Sequence, residues 1–189
     1  MAIVVVGGSA KGVGKTTLVC GLIAALDRLR WTAVKITGDP HEDLPPVYEE
    51  KLPGPATDTA RYLAAGAERA FLLTAPAGRD LGEVLNRFWP LVGRGANLIF
   101  ESNSVVEHVN ANICLLVQGH PDLGAGKPSY YRAVPFAHGL VVHGDDDLMV
   151  VDAMKVEGQP QGPIFNLKEL DRISAEMKSW LEKRLVLTP

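Results

Sequence analysis

The first apolar run, AIVVVG at residues 2–7, is short and rich in β-branched residues, which predicts a buried strand. The period then changes. Leu18, Val19, Leu22, Ile23 and Leu26 recur at three- and four-residue intervals, so 15–29 reads as a helix with one apolar face. TAVKIT at 32–37 predicts a second strand. The stretch that follows, GDPHEDLPPVYEEKLPGPAT, is rich in Pro, Gly and acidic residues and reads as a long irregular loop, a kind often tied to function.

Further on, Thr57 and Asp58 suit the start of a short helix that Gly66 closes. RAFLL at 69–73 suits a strand. Asp80 with Glu83 is a helix-start signal, and Leu81, Val84, Leu85 and Phe88 supply the apolar face of the helix after it. NLIFE at 97–101 and NICLLV at 112–117 suit central strands. A Gly/Pro loop at 118–128 and an ambiguous helix at 129–137 lead to a strand at 139–143 and a further one at 163–166. Residues 168–184 close the chain as an amphipathic helix, with Leu170, Ile173, Met177, Trp180 and Leu181 inward. Strands alternating with helices predict an α/β fold: three layers, a mostly parallel central sheet flanked by helices. No repeat or linker divides the chain, so 1–189 is expected to be a single domain.

The junction of the first strand and helix carries the chemistry. It reads GGSAKGVGKTT, residues 7–17, a glycine-rich loop of the kind that cradles phosphate. The pattern G-x-x-x-x-G-K-[ST] asks for glycine at position 9, where this chain has Ser9; Gly7 and Gly8 stand just upstream. Lys11, Gly12, Val13, Gly14, Lys15, Thr16 and Thr17 form the candidate nucleotide-binding segment. Gly12 and Gly14 free successive N–H groups to face phosphate, Lys15 offers its charge to the β- and γ-phosphates, and Thr16 offers a hydroxyl to Mg²⁺. The metal also calls for a carboxylate at the carboxyl end of a strand. Glu101, directly after NLIF, is the candidate metal-holding or water-orienting group, because a charge at the end of a buried strand is costly unless it serves something. Asp39 is a second candidate for the metal shell or for activating water; its competing role is to make the turn before Pro40. The catalytic candidates are thus Lys15, Asp39 and Glu101, and the metal candidates Thr16, Asp39 and Glu101.

Composition narrows the class. Of 189 residues 47% are hydrophobic and 22% charged, with a formal charge of -3, so no basic surplus points to nucleic acid or an acidic membrane. Cys20 and Cys114 lack metal spacing and fit reduced thiols in the cytosol. Met1-Ala2 runs straight into the first strand without a basic leader, and no apolar run is long enough to span a membrane, so a cytoplasmic protein is expected.

Several pieces together resemble the molybdopterin-guanine dinucleotide biosynthesis protein B family of small P-loop proteins: GKTTL at 14–18, VKITGDPHED at 34–43, PGPATDTARYLAAGA at 53–67 and LIFES at 98–102. DTARYLAAGA is the most telling, because generic phosphate-loop chemistry does not demand it. The resemblance implies a homodimer that binds and hydrolyses GTP, with Mg²⁺, and helps a molybdopterin guanylyltransferase attach a nucleotide to molybdopterin. By position it makes His41, Asp43, Asp58 and Arg61 candidates for a substrate or switch region. The choice between GTP and ATP stays open, because GLVVHGDDD at 139–147 lacks the lysine of a guanine-reading motif and Asp145 to Asp147 read as an acidic turn. Two other functions fit the same loop. One is an ATP-dependent small-molecule ligase or kinase of the dethiobiotin-synthetase type, its acceptor held near 38–62; the other is a non-catalytic nucleotide switch.

Overall fold

Strand β1 (Ile3–Gly8) is buried at every position because it has strands on both sides and helices over both faces. That placement explains why its sequence is a continuous apolar run instead of an alternating one. The computed structural model describes residues 1–39, 43–76, 80–119, 126–143 and 162–186. Within them the other strands are β2 (Trp31–Thr37), β3 (Val47–Glu50), β4 (Arg69–Thr74), β5 (Asn97–Glu101), β6 (Ile113–Val117), β7 (Gly139–His143) and β8 (Ile164–Leu167). They form one eight-stranded sheet in the order β3-β4-β2-β5-β1-β6-β7-β8. All pairs are parallel except β3 with β4. β2 to β5 all lie on one side of β1 and β6 to β8 on the other. The carboxyl end of β1 is therefore where the topology switches, the usual place for a ligand in such sheets.

Helices α1 (Lys15–Ala25), α2 (Asp58–Ala64) and α5 (Ala175–Val186) pack on one face. Helices α3 (Leu81–Phe88) and α4 (Pro128–Ala133) pack on the other. The result is the expected three-layer α/β fold with a mostly parallel sheet. Leu18, Val19, Leu22, Ile23 and Leu26 are all buried, as the helical spacing predicts. α3 starts as its sequence signal says, with the Asp80 carboxylate accepting from Gly82 N at 2.9 Å. The Thr57 hydroxyl caps α2 by accepting from Ala60 N at 3.1 Å, and Gly66 (φ 105°) follows its end.

Three boundaries differ from expectation. The long loop at 38–57 contains β3, an edge strand whose VYEE sequence shields its free side with charge rather than burying it. α1 stops at Ala25; a 3₁₀ turn at Asp27–Leu29 follows, and Arg30 (φ 50°) turns the chain into β2. The last helix begins at Ala175 instead of 168, because the Ser174 hydroxyl accepts from Met177 N at 3.2 Å and starts the helix there. Leu170 is buried all the same, in the turn before it.

No helix among the described residues is long and apolar enough to cross a membrane. His41 and Asp145 to Asp147 lie outside the described residues, as do 121–125 of the late loop.

Candidate functional site

Ser9 occupies the place of the first loop glycine without strain, since among the described residues Arg30 alone carries a positive φ without being glycine. Its N–H donates to Val117 O at 2.9 Å, its hydroxyl accepts from Gly119 N at 2.9 Å, and its carbonyl accepts from Lys127 N at 2.9 Å. The residue that breaks the usual pattern thus rivets the loop to the end of β6. Gly14 takes φ 91° and has a second reason to be glycine: a Cβ there would collide with Leu170. A Cβ on Gly21 would come within 2.8 Å of Asp171 O, so α1 can sit against that same turn only without one. Val13 is buried against Gly8. The Asn103 side chain clamps the base of the loop, accepting from Gly8 N at 2.7 Å and donating to Gly8 O at 3.0 Å.

α1 opens at Gly14 with no side-chain cap and no acidic residue in its first turn, which leaves its first N–H groups for an external anion. Lys15 stands at that end, its ammonium donating to Ala10 O at 2.8 Å. Burial pulls Lys15 below the usual lysine range; the charge of Glu101 opposes this and that of Lys35 adds to it.

Below the loop lies a buried carboxylate with a complete set of donors. Glu101 is 2% exposed, and its Oε2 accepts from Thr16 Oγ1 at 2.7 Å and from the Tyr62 hydroxyl. Its Oε1 accepts from Lys35 Nζ, which also pairs with Asp58 Oδ2 at 3.0 Å. The sheet register brings these groups together: Lys35 on β2 stands opposite Glu101 on β5. Burial alone would lower Lys35, but the charge of Glu101 and its hydrogen bond, then Asp58, outweigh it and hold the ammonium above the usual range. Burial, reinforced by the charge of Glu101, keeps the Tyr62 phenol protonated well past its usual range.

Helix α2 supplies one wall. Asp58 reaches Lys35, Tyr62 reaches Glu101, and Arg61 NH2 donates to Thr17 Oγ1 at 3.3 Å while standing 3.8 Å from Asp58. The spacing of three and four residues along α2 puts all three groups on the side that faces α1 and the sheet. The segment DTARY thus supplies the contacts that tie this helix to the phosphate loop and its carboxylate.

The sequence candidates divide accordingly. Lys15, Thr16, Thr17, Glu101, Asp58 and Arg61 come together. Asp39 does not join Glu101: it lies at the rim, 75% exposed, paired with Lys11 at 3.4 Å. Asp43 is exposed and does not line the cavity. Lys35, Tyr62 and Asn103 were missed as site residues. Lys35 sits inside a strand and Tyr62 inside an amphipathic helix, where each looks ordinary; ESNS after a strand end was the only signal for Asn103.

A cavity of about 840 Å³ opens between the loop and α2, with Lys15, Lys35, Glu101 and Asp58 in its walls. It continues over Leu72 and Tyr48 to Glu50, away from the loop. These residues fit a magnesium ion in one way. Thr16 gives its hydroxyl hydrogen to Glu101, which leaves the oxygen lone pairs for a cation and makes Glu101 the carboxylate behind that oxygen. Among the described residues no three His, Cys, Asp or Glu side chains gather to hold a metal, so the remaining ligands would be phosphate oxygens and water.

No protein-family model and no curated protein matches the chain. Among solved structures it is similar to HypB from Helicobacter pylori, crystallised in complex with nickel, at 17% identity, covering 97% of this chain and 87% of that one, with a TM-score of 0.59. It is also similar to LpxK from Aquifex aeolicus in complex with ATP, at 16% identity and a TM-score of 0.49; the match covers 88% of this chain and 53% of LpxK, about half that protein's length. The likeness to HypB shows the fold alone, a three-layer α/β architecture with a mostly parallel sheet.

Proposed function

We propose that this chain, a single P-loop domain, binds GTP or ATP with Mg²⁺, hydrolyses it, and assists molybdenum cofactor (molybdopterin guanine dinucleotide) biosynthesis. The observation that carries the nucleotide part is the Thr16–Glu101 bond of 2.7 Å beneath a glycine loop and an uncapped helix end. A phosphate would lie against the N–H groups of α1 and the Lys15 ammonium, and Mg²⁺ held at the Thr16 hydroxyl, with Glu101 behind it, would supply further positive charge there. Hydrolysis forms a bond from the water oxygen to the γ-phosphorus and breaks the bond to the bridging oxygen. The electron pair of the broken bond stays on the departing diphosphate, and the water proton passes to a phosphate oxygen. Lys15 and the loop N–H groups stabilise the charge that moves; the Glu101 carboxylate holds the Thr16 hydroxyl in its orientation.

The molybdenum part rests on the sequence resemblance, and the contacts of α2 support it. The segment that generic phosphate-loop chemistry leaves unexplained, DTARYLAAGA, is the one whose Asp58, Arg61 and Tyr62 reach the site. On this reading the protein is a cytoplasmic homodimer whose partner is a molybdopterin guanylyltransferase. One observation favours a second reading, an ATP-dependent ligase or kinase: the cavity runs past the loop over Leu72 and Tyr48, which leaves room for an acceptor.

Calorimetric titration with Mg-GTP and Mg-ATP at matched salt tests this. Preference for GTP supports the molybdenum reading, preference for ATP the ligase or kinase, and binding without turnover a switch. Lys15→Ala is expected to lose about 100-fold or more in affinity while melting at the parent temperature. A Lys15→Ala protein that binds like the parent would sink the site altogether.

A further inference from the structure

We propose that Lys35 is a second phosphate cation, built into the sheet, that touches the γ-phosphoryl group and neutralises the charge developing on it as it is cleaved. The role is the one an arginine plays in many P-loop proteins, and it rests on the nucleotide reading given above.

Lys35 is not needed merely to complete Glu101. That carboxylate already holds Thr16 and Tyr62, and Lys35 is shared with a second carboxylate, Asp58. An ammonium has three hydrogens. Glu101 and Asp58 take two among the described residues, and the side chain lines the cavity, so the third is left for an acceptor there.

Position and rigidity point the same way. The side chain is 19% exposed, rooted in β2 and pinned between two carboxylates, so it cannot swing away like a surface lysine. A pinned charge needs no reorganisation at the moment of reaction, which is what makes such groups effective. One carboxylate, Glu101, joins it to the Thr16 hydroxyl that would hold the metal. Lys15 and Lys35 thus reach the cavity from different elements, the loop end of α1 and the floor of the sheet.

The test compares two ligands on the full chain: a non-hydrolysable triphosphate, and the diphosphate with Mg²⁺ and aluminium fluoride, which mimics the phosphoryl group in flight. In the parent, aluminium fluoride is expected to tighten diphosphate binding. In Lys35→Met that gain should vanish and kcat should fall by about 10²–10³, while triphosphate affinity falls far less, by about tenfold at most. Lys35→Arg should restore part of both. Lys35→Gln, which still donates to Glu101 but carries no charge, keeps the test open if the Met variant fails to fold. The proposal is overturned if the variants keep the gain and kcat within about threefold, or lose both ligands in equal measure, as a purely structural lysine would. A parent that binds no nucleotide removes the whole site; a parent that binds with indifferent variants removes Lys35 alone.

Discussion

Val34 and Phe100 precede Lys35 and Glu101 by one residue on the same two strands, yet the two pairs live in different layers. Val34 and Phe100 are fully buried under α3, beside Phe71 and Phe88, whose rings meet edge-on at 5.3 Å. Lys35 and Glu101 face α1 and α2, in a layer where buried charge is satisfied bond by bond. The two faces hold together on different terms. The α3 face depends on volume and shape, so damage there scales with the space left behind. The α2 face depends on completeness, so removing one partner leaves another group buried and unpaired.

Phe88→Ala should cost the most, about 3–5 kcal/mol by the usual scale for a fully buried aromatic, read as a drop in denaturation midpoint with nucleotide affinity per folded molecule unchanged. A loss of affinity in that variant would mean that the two layers are coupled. Glu101→Gln keeps the shape but removes the charge beside Lys35 and turns one acceptor into a donor. Its destabilisation should be smaller, about 1–3 kcal/mol, but Mg²⁺ should no longer strengthen nucleotide binding, which a titration with and without the metal reads directly. Tyr62→Phe deletes one of the three donors to that carboxylate and should cost about 1–2 kcal/mol in stability; a neutral result would show that Thr16 and Lys35 suffice.

The smallest effect lies at the edge of the sheet. Hydrogen bonding from Arg69 holds Glu49 down at about 2. A depressed carboxylate adds stability above its unfolded value near 4.5 and loses it as the pH falls from there towards 2. With the side chain 27% exposed the gain is under about 1 kcal/mol, seen as a lower amide protection factor in β3, relative to the intrinsic exchange rate at each pH, as the pH falls. A protection factor in β3 that does not change over that range would rule the contribution out.

The same contrast explains what was legible beforehand. Packing is written in periodicity, so the apolar faces of α1 and α3 could be read residue by residue. Glu101 was legible because a charge directly after NLIF breaks that pattern. Lys35 was not, because a lysine in TAVKIT passes for an ordinary polar position; its pairing exists only because β5 inserts between β1 and β2. Asp39 and Asp58 were both visible as acids beside turns, but only the path of the chain sends one to the rim and the other to Lys35. β3 was hidden because a four-residue edge strand with two glutamates has no apolar period.

The contact between Gly14 and Leu170 bears on how the protein is made. The loop at 7–17 is translated before the segments that hold it: Ser9 is held by β6, and Gly14 lies against the turn that carries Leu170. A nascent chain therefore carries the whole phosphate-loop sequence long before it can hold the loop in shape. A nucleotide that binds the finished loop stabilises only chains in which that turn has docked, and so draws the docking forward by mass action.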